Sequence, residues 1–254
     1  LASLASELQG MGAVTTTLSG GEPLLRDDLE RIAGAFDSRT CLKLNTTGFG
    51  LTAERASSLK EHGIFALGVS LDSIDPGTHD RLRGHFGAFK IALDALHLAA
   101  DAGLYPYVIA VATREFLEPG HFRSYLRLAA DEGALEVHLL EPSAVGKLAG
   151  DTGVLLESAE RDIILRYQGE FACDDGLPIV SSFAHLESPD AFGCGAGLTH
   201  LYIDGAGEVC PCNLVPLSFG NITREPLDVI LDRMAIHFRK PRPACVGHLL
   251  GGHV

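Results

Sequence analysis

Two groups of residues in this 254-residue chain have the types and spacing to do chemistry. The first is the run Ser19-Gly20-Gly21-Glu22-Pro23-Leu24-Leu25-Arg26. Paired glycines let backbone approach a ligand closely, and Glu22 offers an acceptor for a cationic group. The second is a set of cysteines. Of the six, Cys41, Cys173, Cys194, Cys210, Cys212 and Cys245, four lie at position 194 or beyond. That is too few for a disulfide scaffold of this length, and the uneven clustering favours a metal or cluster site in a reducing compartment.

The elements that must position these groups follow from periodicity. Residues 13–18, just before the glycine pair, are β-branched and apolar and predict a buried strand. Asp27 and Asp28 open a helix with Leu29, Ile32, Ala33 and Phe36 on one face. Glu22 and the glycines therefore fall at the carboxyl end of a strand, where α/β enzymes place their chemistry. The same rhythm continues, with strands predicted over 41–48, 64–73, 107–111 and 137–140. Helices over 53–62, 89–102 and 122–132 separate them, each closed by a glycine (Gly63, Gly103, Gly133). This alternation predicts an α/β fold with a parallel sheet and helices outside. Every strand ends in polar or small residues: Ser19–Glu22, Asn45–Thr47, Ser70–Ser73, Thr113–Glu115 and Glu141–Ser143. Polar groups repeated at successive carboxyl ends are what a barrel-mouth site requires.

After Gly150 the rhythm breaks. A helix is predicted over 158–168, and 174–190 reads as a linker. The segments 198–203 and 208–210 flank Asp204-Gly205-Ala206-Gly207, a hairpin signal. A hairpin turning there brings the thiolates of Cys194 and Cys212 towards one cluster, for which thiolates are the normal ligands. A short amphipathic helix follows over 227–238, with Leu227, Ile230, Leu231 and Met234 inward. The expected domains are a barrel over 1–150, a helix and linker over 151–190, and a small domain over 191–254.

Composition sets outer limits. With 46% apolar and 21% charged residues the chain has a globular make-up. Its net charge of −13 argues against nucleic acid or an anionic membrane as the main partner. No run approaches a membrane span and the N-terminus lacks signal-peptide character, so a cytoplasmic protein is expected. The chain does not begin with Met and is expected to start inside a longer one.

These residues resemble those of a radical S-adenosylmethionine (SAM) enzyme with a C-terminal SPASM or Twitch auxiliary iron–sulfur domain. The resemblance rests on Gly20-Gly21-Glu22-Pro23, Asn45-Thr46-Thr47-Gly48, Val69-Ser70-Leu71-Asp72 and His79-Asp80-Arg81-Leu82-Arg83-Gly84, in this order at barrel spacing. It also rests on Cys194, twelve residues, Gly207, four residues and Cys212, and on Gly220-Asn221-Ile222 after the hairpin. It implies a partial (β/α)6 TIM-like barrel lacking its first strand, so that 1–150 carries strands two to six, plus a small β-hairpin and helix domain for a cluster. It implies that Gly20, Gly21 and Glu22 bind the amino group of SAM, with Pro23 shaping the turn. Asn45, Ser70, Asp72 and Arg83 would complete the polar side of the cofactor site, the last three towards its ribose or carboxylate. Val111 and Leu140 would flank the adenine.

The implied ligands of an auxiliary [4Fe–4S] cluster are Cys194, Cys212 and Cys245. His248 or Cys210 would be the fourth, or that position is open; zinc on three cysteines and a histidine is the rival occupant. The family's CxxxCxxC loop, which holds the cluster that binds SAM, is absent from these residues. The expectation is therefore a fragment, inactive alone, of a radical SAM oxidoreductase or peptide- or small-molecule-modifying enzyme. Its reductant would be a protein such as flavodoxin or ferredoxin. The rival is a non-catalytic, degenerate barrel serving as a SAM- or metal-binding scaffold. Cys41 and Cys173 read as ordinary thiols. His62, His97, His138 and His200 read as surface or satisfied core histidines, and Lys147 as a solvated lysine.

Overall fold

The structure, a computed structural model, describes residues 2–250 apart from 173, 175, 185 and 189. Cys173 and residues 251–254 of the predicted small domain thus lie outside the described residues. The chain divides into two compact units. The first holds residues up to 111 with 115–140 and 167–181; the second holds 112–114, 141–166 and everything from 182 onward.

The first unit is built on one sheet. Its strands are β1 (Thr15–Leu18), β2 (Cys41–Thr46), β3 (Ile64–Ser70), β4 (Tyr105–Val111), β5 (Glu136–Leu140) and β6 (Ile179–Ser182), side by side in chain order. Pairing from β1 through β5 is parallel. Helices α1 (Ala2–Gly10), α2 (Leu29–Ala33), α3 (Ala53–Glu61), α4 (Pro76–Arg83), α5 (Ala88–Asp101) and α6 (Pro119–Asp131) fill the connections, and α7 (Ser158–Glu170) follows the fifth strand. This is the α/β, partial-barrel architecture expected. The stretch read as a linker contains β6, whose four residues are too few to show a period of two.

One face of the sheet is apolar. Leu42, Leu44, Leu67, Val69, Val108, Ala110, Val137 and Leu139 are buried, and Leu59 of α3 and Ala92, Ala95, Leu96 and Ala99 of α5 are buried with them. The alternate positions form the other face. There Asn45, Gly68, Tyr107 and Glu136 stand in register across four strands. A Cβ on Gly68 would overlap the phenol ring of Tyr107, so the glycine gives that ring its place. The Tyr107 hydroxyl then donates to Asn45 Oδ1 at 2.5 Å. Burial raises the Tyr107 pKa, with the Glu136 charge adding to it, so the phenol stays a donor.

Beyond β3 the chain is fixed by a buried histidine. The Asp72 N–H donates to His79 Nδ1 at 3.1 Å, and His79 is 1% exposed. Asp75 caps α4 by accepting from the Thr78 N–H at 2.8 Å. Asp80 accepts from the N–H groups of Gly87 (2.7 Å) and Phe89 (2.9 Å), which ties α4 to the start of α5.

In the second unit β7 (Tyr202–Ile203) and β8 (Val209–Cys210) pair antiparallel about the predicted Asp204–Gly207 turn. Asp204 Oδ1 accepts from the N–H groups of Ala206 (2.8 Å) and Glu208 (2.9 Å). Asn221 clamps the same turn, donating to Ala206 O at 3.0 Å and Glu208 Oε1 at 2.8 Å. Helix α8 (Leu227–Ala235) buries Leu227, Ile230 and Met234, and α9 (Val246–Leu250) starts directly after Cys245. No helix among the described residues is long and apolar enough to cross a membrane.

Two outcomes follow from this packing. Gly68→Ala is expected to destabilise the fold by about 1–3 kcal/mol through overpacking against Tyr107; an unchanged urea midpoint would contradict that close approach. Burial lowers the His79 pKa below its ordinary 6.5, with Arg83 adding to the effect and Asp72 opposing it. Between that lowered value and 6.5 the unfolded chain binds more protons than the folded one, so stability is full above the window and falls as pH drops through it. His79→Asn keeps an acceptor for the Asp72 N–H without the titration and should flatten that slope; equal slopes in both proteins would refute it.

Candidate cofactor and cluster sites

The Gly-Gly-Glu-Pro loop leaves β1 and is held from two sides. On one side Glu22 reaches the end of β2. Its Oε1 accepts from the Leu24 N–H at 3.0 Å and the Thr46 hydroxyl at 2.6 Å. Its Oε2 accepts from the Thr47 N–H at 2.8 Å and the Thr47 hydroxyl at 2.5 Å. A carboxylate offers about four lone-pair positions, so these donors fill them. On the other side Arg55 of α3 donates to the carbonyls of Leu24 and Arg26 and pairs with Glu30 at 3.0 Å. Just before these anchors, between β1 and Glu22, Gly20 and Gly21 are exposed, and a Cβ on either would meet nothing within 4 Å. Gly20 takes φ +145°, a conformation that favours glycine. The loop therefore offers open backbone next to a fixed negative charge.

The remaining predicted cofactor residues lie at the ends of the neighbouring strands. Ser70 closes β3, and Asp72 pairs with Arg83 at 2.7 Å. The Arg83 Nε is buried, and despite that distance it makes no hydrogen bond among the described residues, because the direction to Asp72 is poor. The guanidinium is held at the strand ends as the ion-pair partner of Asp72. Asn45 is engaged with Tyr107 as described above. Val111 and Leu140 are register partners at the ends of β4 and β5, 37% and 40% exposed, forming an apolar step. An amino group, a carboxylate and a flat apolar ring each find suitable chemistry here, so the residues fit SAM.

In the second unit an antiparallel bridge sets the cysteines. Cys194 N–H donates to Arg242 O at 2.8 Å and Arg242 N–H to Cys194 O at 3.1 Å. Gly193 has φ +86°, and a Cβ there would collide with the Arg242 carbonyl. Three residues past the bridge, Cys245 meets Cys194, whose thiol is pulled down to about 5 first by the hydrogen bond from Cys245 and then by the N–H groups of Val246 and Ala196. Cys245, as the donor of that pair, is raised. Cys212 follows β8; its sulfur accepts from the Leu214 N–H at 3.5 Å. Burial raises its pKa, and the charges of Cys194 and Glu187 add to that. Gly247 lets α9 close on Leu214, since a Cβ there would stand 2.8 Å from the Leu214 Cβ.

One predicted ligand candidate has a hydrogen-bond partner at one of its two ring nitrogens. His248 Nε2 lies 3.2 Å from Ser143 Oγ, and among the described residues the side chain gathered with Cys194 and Cys245 is Glu187, all three donor atoms within 4.8 Å of one another. Cys210 is buried in β8 and lines a small pocket with Cys212, Tyr202, Asp204 and Glu208. Cys194 and Cys245 meet beside Glu187, with Cys212 outside that group; thiolates brought together in this way fit an iron–sulfur cluster. Sequence reasoning missed Arg55 and Glu187. A helix-surface arginine and a glutamate in an aperiodic stretch carry no local signal; Thr46 and Thr47 stood in a quoted motif, but their partner across the strands was not read.

Two family models match the chain. Residues 1–122 match the model of the radical SAM superfamily, and residues 194–247 match SPASM, an iron–sulfur cluster-binding domain. The AdoMet-dependent heme synthase of Nitratidesulfovibrio vulgaris is 27% identical over 247 residues, 88% of this chain and 66% of that protein. Mycofactocin maturase MftC of Mycolicibacterium smegmatis is 32% identical over 216 residues, 81% of this chain and 54% of that protein. Streptococcus suis SuiB, in crystal structures bound to S-adenosylmethionine and to the precursor peptide SuiA, aligns with TM-score 0.70 at 15% identity over 91% of this chain and 56% of SuiB. The chain thus spans 66% and 54% of the length of the two relatives and shares the fold of SuiB. The cofactors of the family are SAM and a [4Fe–4S] cluster, with an auxiliary cluster in the SPASM domain. By the models matched over residues 1–122 and 194–247, the chain belongs to the radical SAM superfamily, with a C-terminal SPASM iron–sulfur cluster-binding domain.

Proposed function

We propose that the chain is the SAM-seating and auxiliary-cluster portion of a radical SAM oxidoreductase that modifies a peptide or a small molecule. The observation that carries this reading is Glu22, held by Thr46 and Thr47 beside the open backbone of Gly20 and Gly21. The cysteine triplet CxxxCxxC does not occur in these residues. In this reading it is supplied from outside them, and the 254 residues alone do not cleave SAM. Bound SAM and its cluster would supply a one-electron cleavage that yields a hydrogen-abstracting radical, the electron coming from a flavodoxin- or ferredoxin-like protein.

The chain's own residues bind and orient. Glu22 attracts an ammonium group to the loop, and Gly20 and Gly21 present carbonyls to it. Arg83, ion-paired with Asp72, brings a cation towards a carboxylate or hydroxyl, and Val111 and Leu140 cover an adenine face. Cys194, Cys212 and Cys245 hold the auxiliary cluster. A peptide substrate is supported by the likeness to the maturase MftC and to SuiB with its precursor peptide, and a small molecule by the likeness to the heme synthase.

The test is production of 5′-deoxyadenosine by the full-length, anaerobically reconstituted protein given SAM and a strong reductant. Formation of the nucleoside is expected, and none under these conditions ends the enzyme reading. Glu22→Gln in the same protein removes the charge and one set of acceptors. With its acceptor positions filled, Glu22 acts on the ammonium through its charge, and losing that charge should weaken SAM binding by about tenfold, roughly 1.4 kcal/mol. Calorimetric titration checks this, and unchanged affinity would remove Glu22 from the site.

A further inference from the structure

Cysteine spacing accounts for three of the positions around the auxiliary site. The structure brings a fourth group there by a route that spacing does not show. The segment before Cys194 is folded back on itself: the Leu186 carbonyl accepts from the N–H groups of Phe192 (3.1 Å) and Gly193 (2.9 Å). The Glu187 N–H in turn donates to Phe183 O at 2.8 Å. This loop sets Glu187 one residue past the pinned carbonyl, and its carboxylate comes within 4.8 Å of the sulfurs of both Cys194 and Cys245. Glu187 is partly buried, and among the described residues its carboxylate makes no side-chain hydrogen bond, with Arg161 as the nearby cation. Of the other candidates, His248 has its Nε2 3.2 Å from Ser143 Oγ, and Cys210 lines the pocket with Tyr202, Asp204 and Glu208.

We infer that Glu187 is the fourth protein ligand of the auxiliary cluster, an oxygen donor beside Cys194, Cys212 and Cys245. The inference rests on the reading of the second unit as a cluster domain. A carboxylate is a hard ligand among soft thiolates, so the iron it holds differs chemically from the other three. That iron is the one an added ligand or a chelator reaches first. Ligand identity is also a lever on the cluster's reduction potential, so replacement by thiolate should shift it.

The experiment is 57Fe Mössbauer and EPR spectroscopy of the anaerobically reconstituted full-length protein, beside Glu187→Ala, Glu187→Cys, His248→Ala and Cys194→Ala. The wild type is expected to show one auxiliary iron with the higher isomer shift of oxygen ligation. Glu187→Cys should keep the full iron content and lose that distinct site. Glu187→Ala should shed that iron on mild oxidation and give the signal of a three-iron cluster, while His248→Ala resembles the wild type. Unchanged spectra in both Glu187 variants would overturn the inference, as would loss of the distinct iron in His248→Ala. Cys194→Ala separates the two levels of the reading. If it loses auxiliary iron while the Glu187 variants match the wild type, only the ligand assignment fails; if it too retains all its iron, the cluster domain reading fails.

Discussion

A carboxylate with its acceptor positions filled is the constraint on which the first unit's site depends. Parallel strands deliver their carboxyl ends to one rim, but the loops that follow have no ladder to hold them. Here Glu22 replaces the ladder. It joins the loop after β1 to the residues after β2 through both threonines, and the register that sets Leu18 opposite Leu44 brings these partners within reach. Arg55 binds the far end of the loop by two backbone carbonyls. The glycines between β1 and Glu22 can then stay bare without becoming loose. Charge and open backbone coexist at one place because other side chains carry the cost of holding them.

The second unit solves a similar problem with backbone. Cys194 and Cys245 are distant in sequence, and the bridge between Cys194 and Arg242 brings them together without either thiol taking part. Three glycines permit the close approaches this needs: Gly193 under Arg242, Gly207 in the hairpin turn beside Asn221, and Gly247 against Leu214. The thiols are left for a ligand. Cys194 is lowered and Cys245 raised because the two thiols share a hydrogen bond, which shows how closely the bridge brings them together.

Much of this was legible in the sequence. Apolar runs ending in polar residues gave the strands and the rim, since burial on both faces of a parallel sheet writes itself as short apolar runs. The spacing about Gly207 gave the hairpin and two thiols. What stayed hidden depended on contacts between segments far apart in the chain. Tyr107 and Asn45 meet only because Gly68 between them lacks a side chain, a fact of register. Ser143 occupies one nitrogen of His248 from another part of the chain. Glu187 lies in a stretch with no period at all and reaches the cysteines through a loop closed on a single carbonyl. β6 is too short to announce itself.

The central claim is that the loop after β1 is built to receive an ammonium group. The most direct measurement compares the affinity of the full-length protein for SAM and for the analogue that lacks the amino group, by calorimetric titration. A charge-assisted contact of about 1.5–3 kcal/mol predicts that the amino-bearing molecule binds at least about tenfold more tightly. Equal affinities would contradict the account.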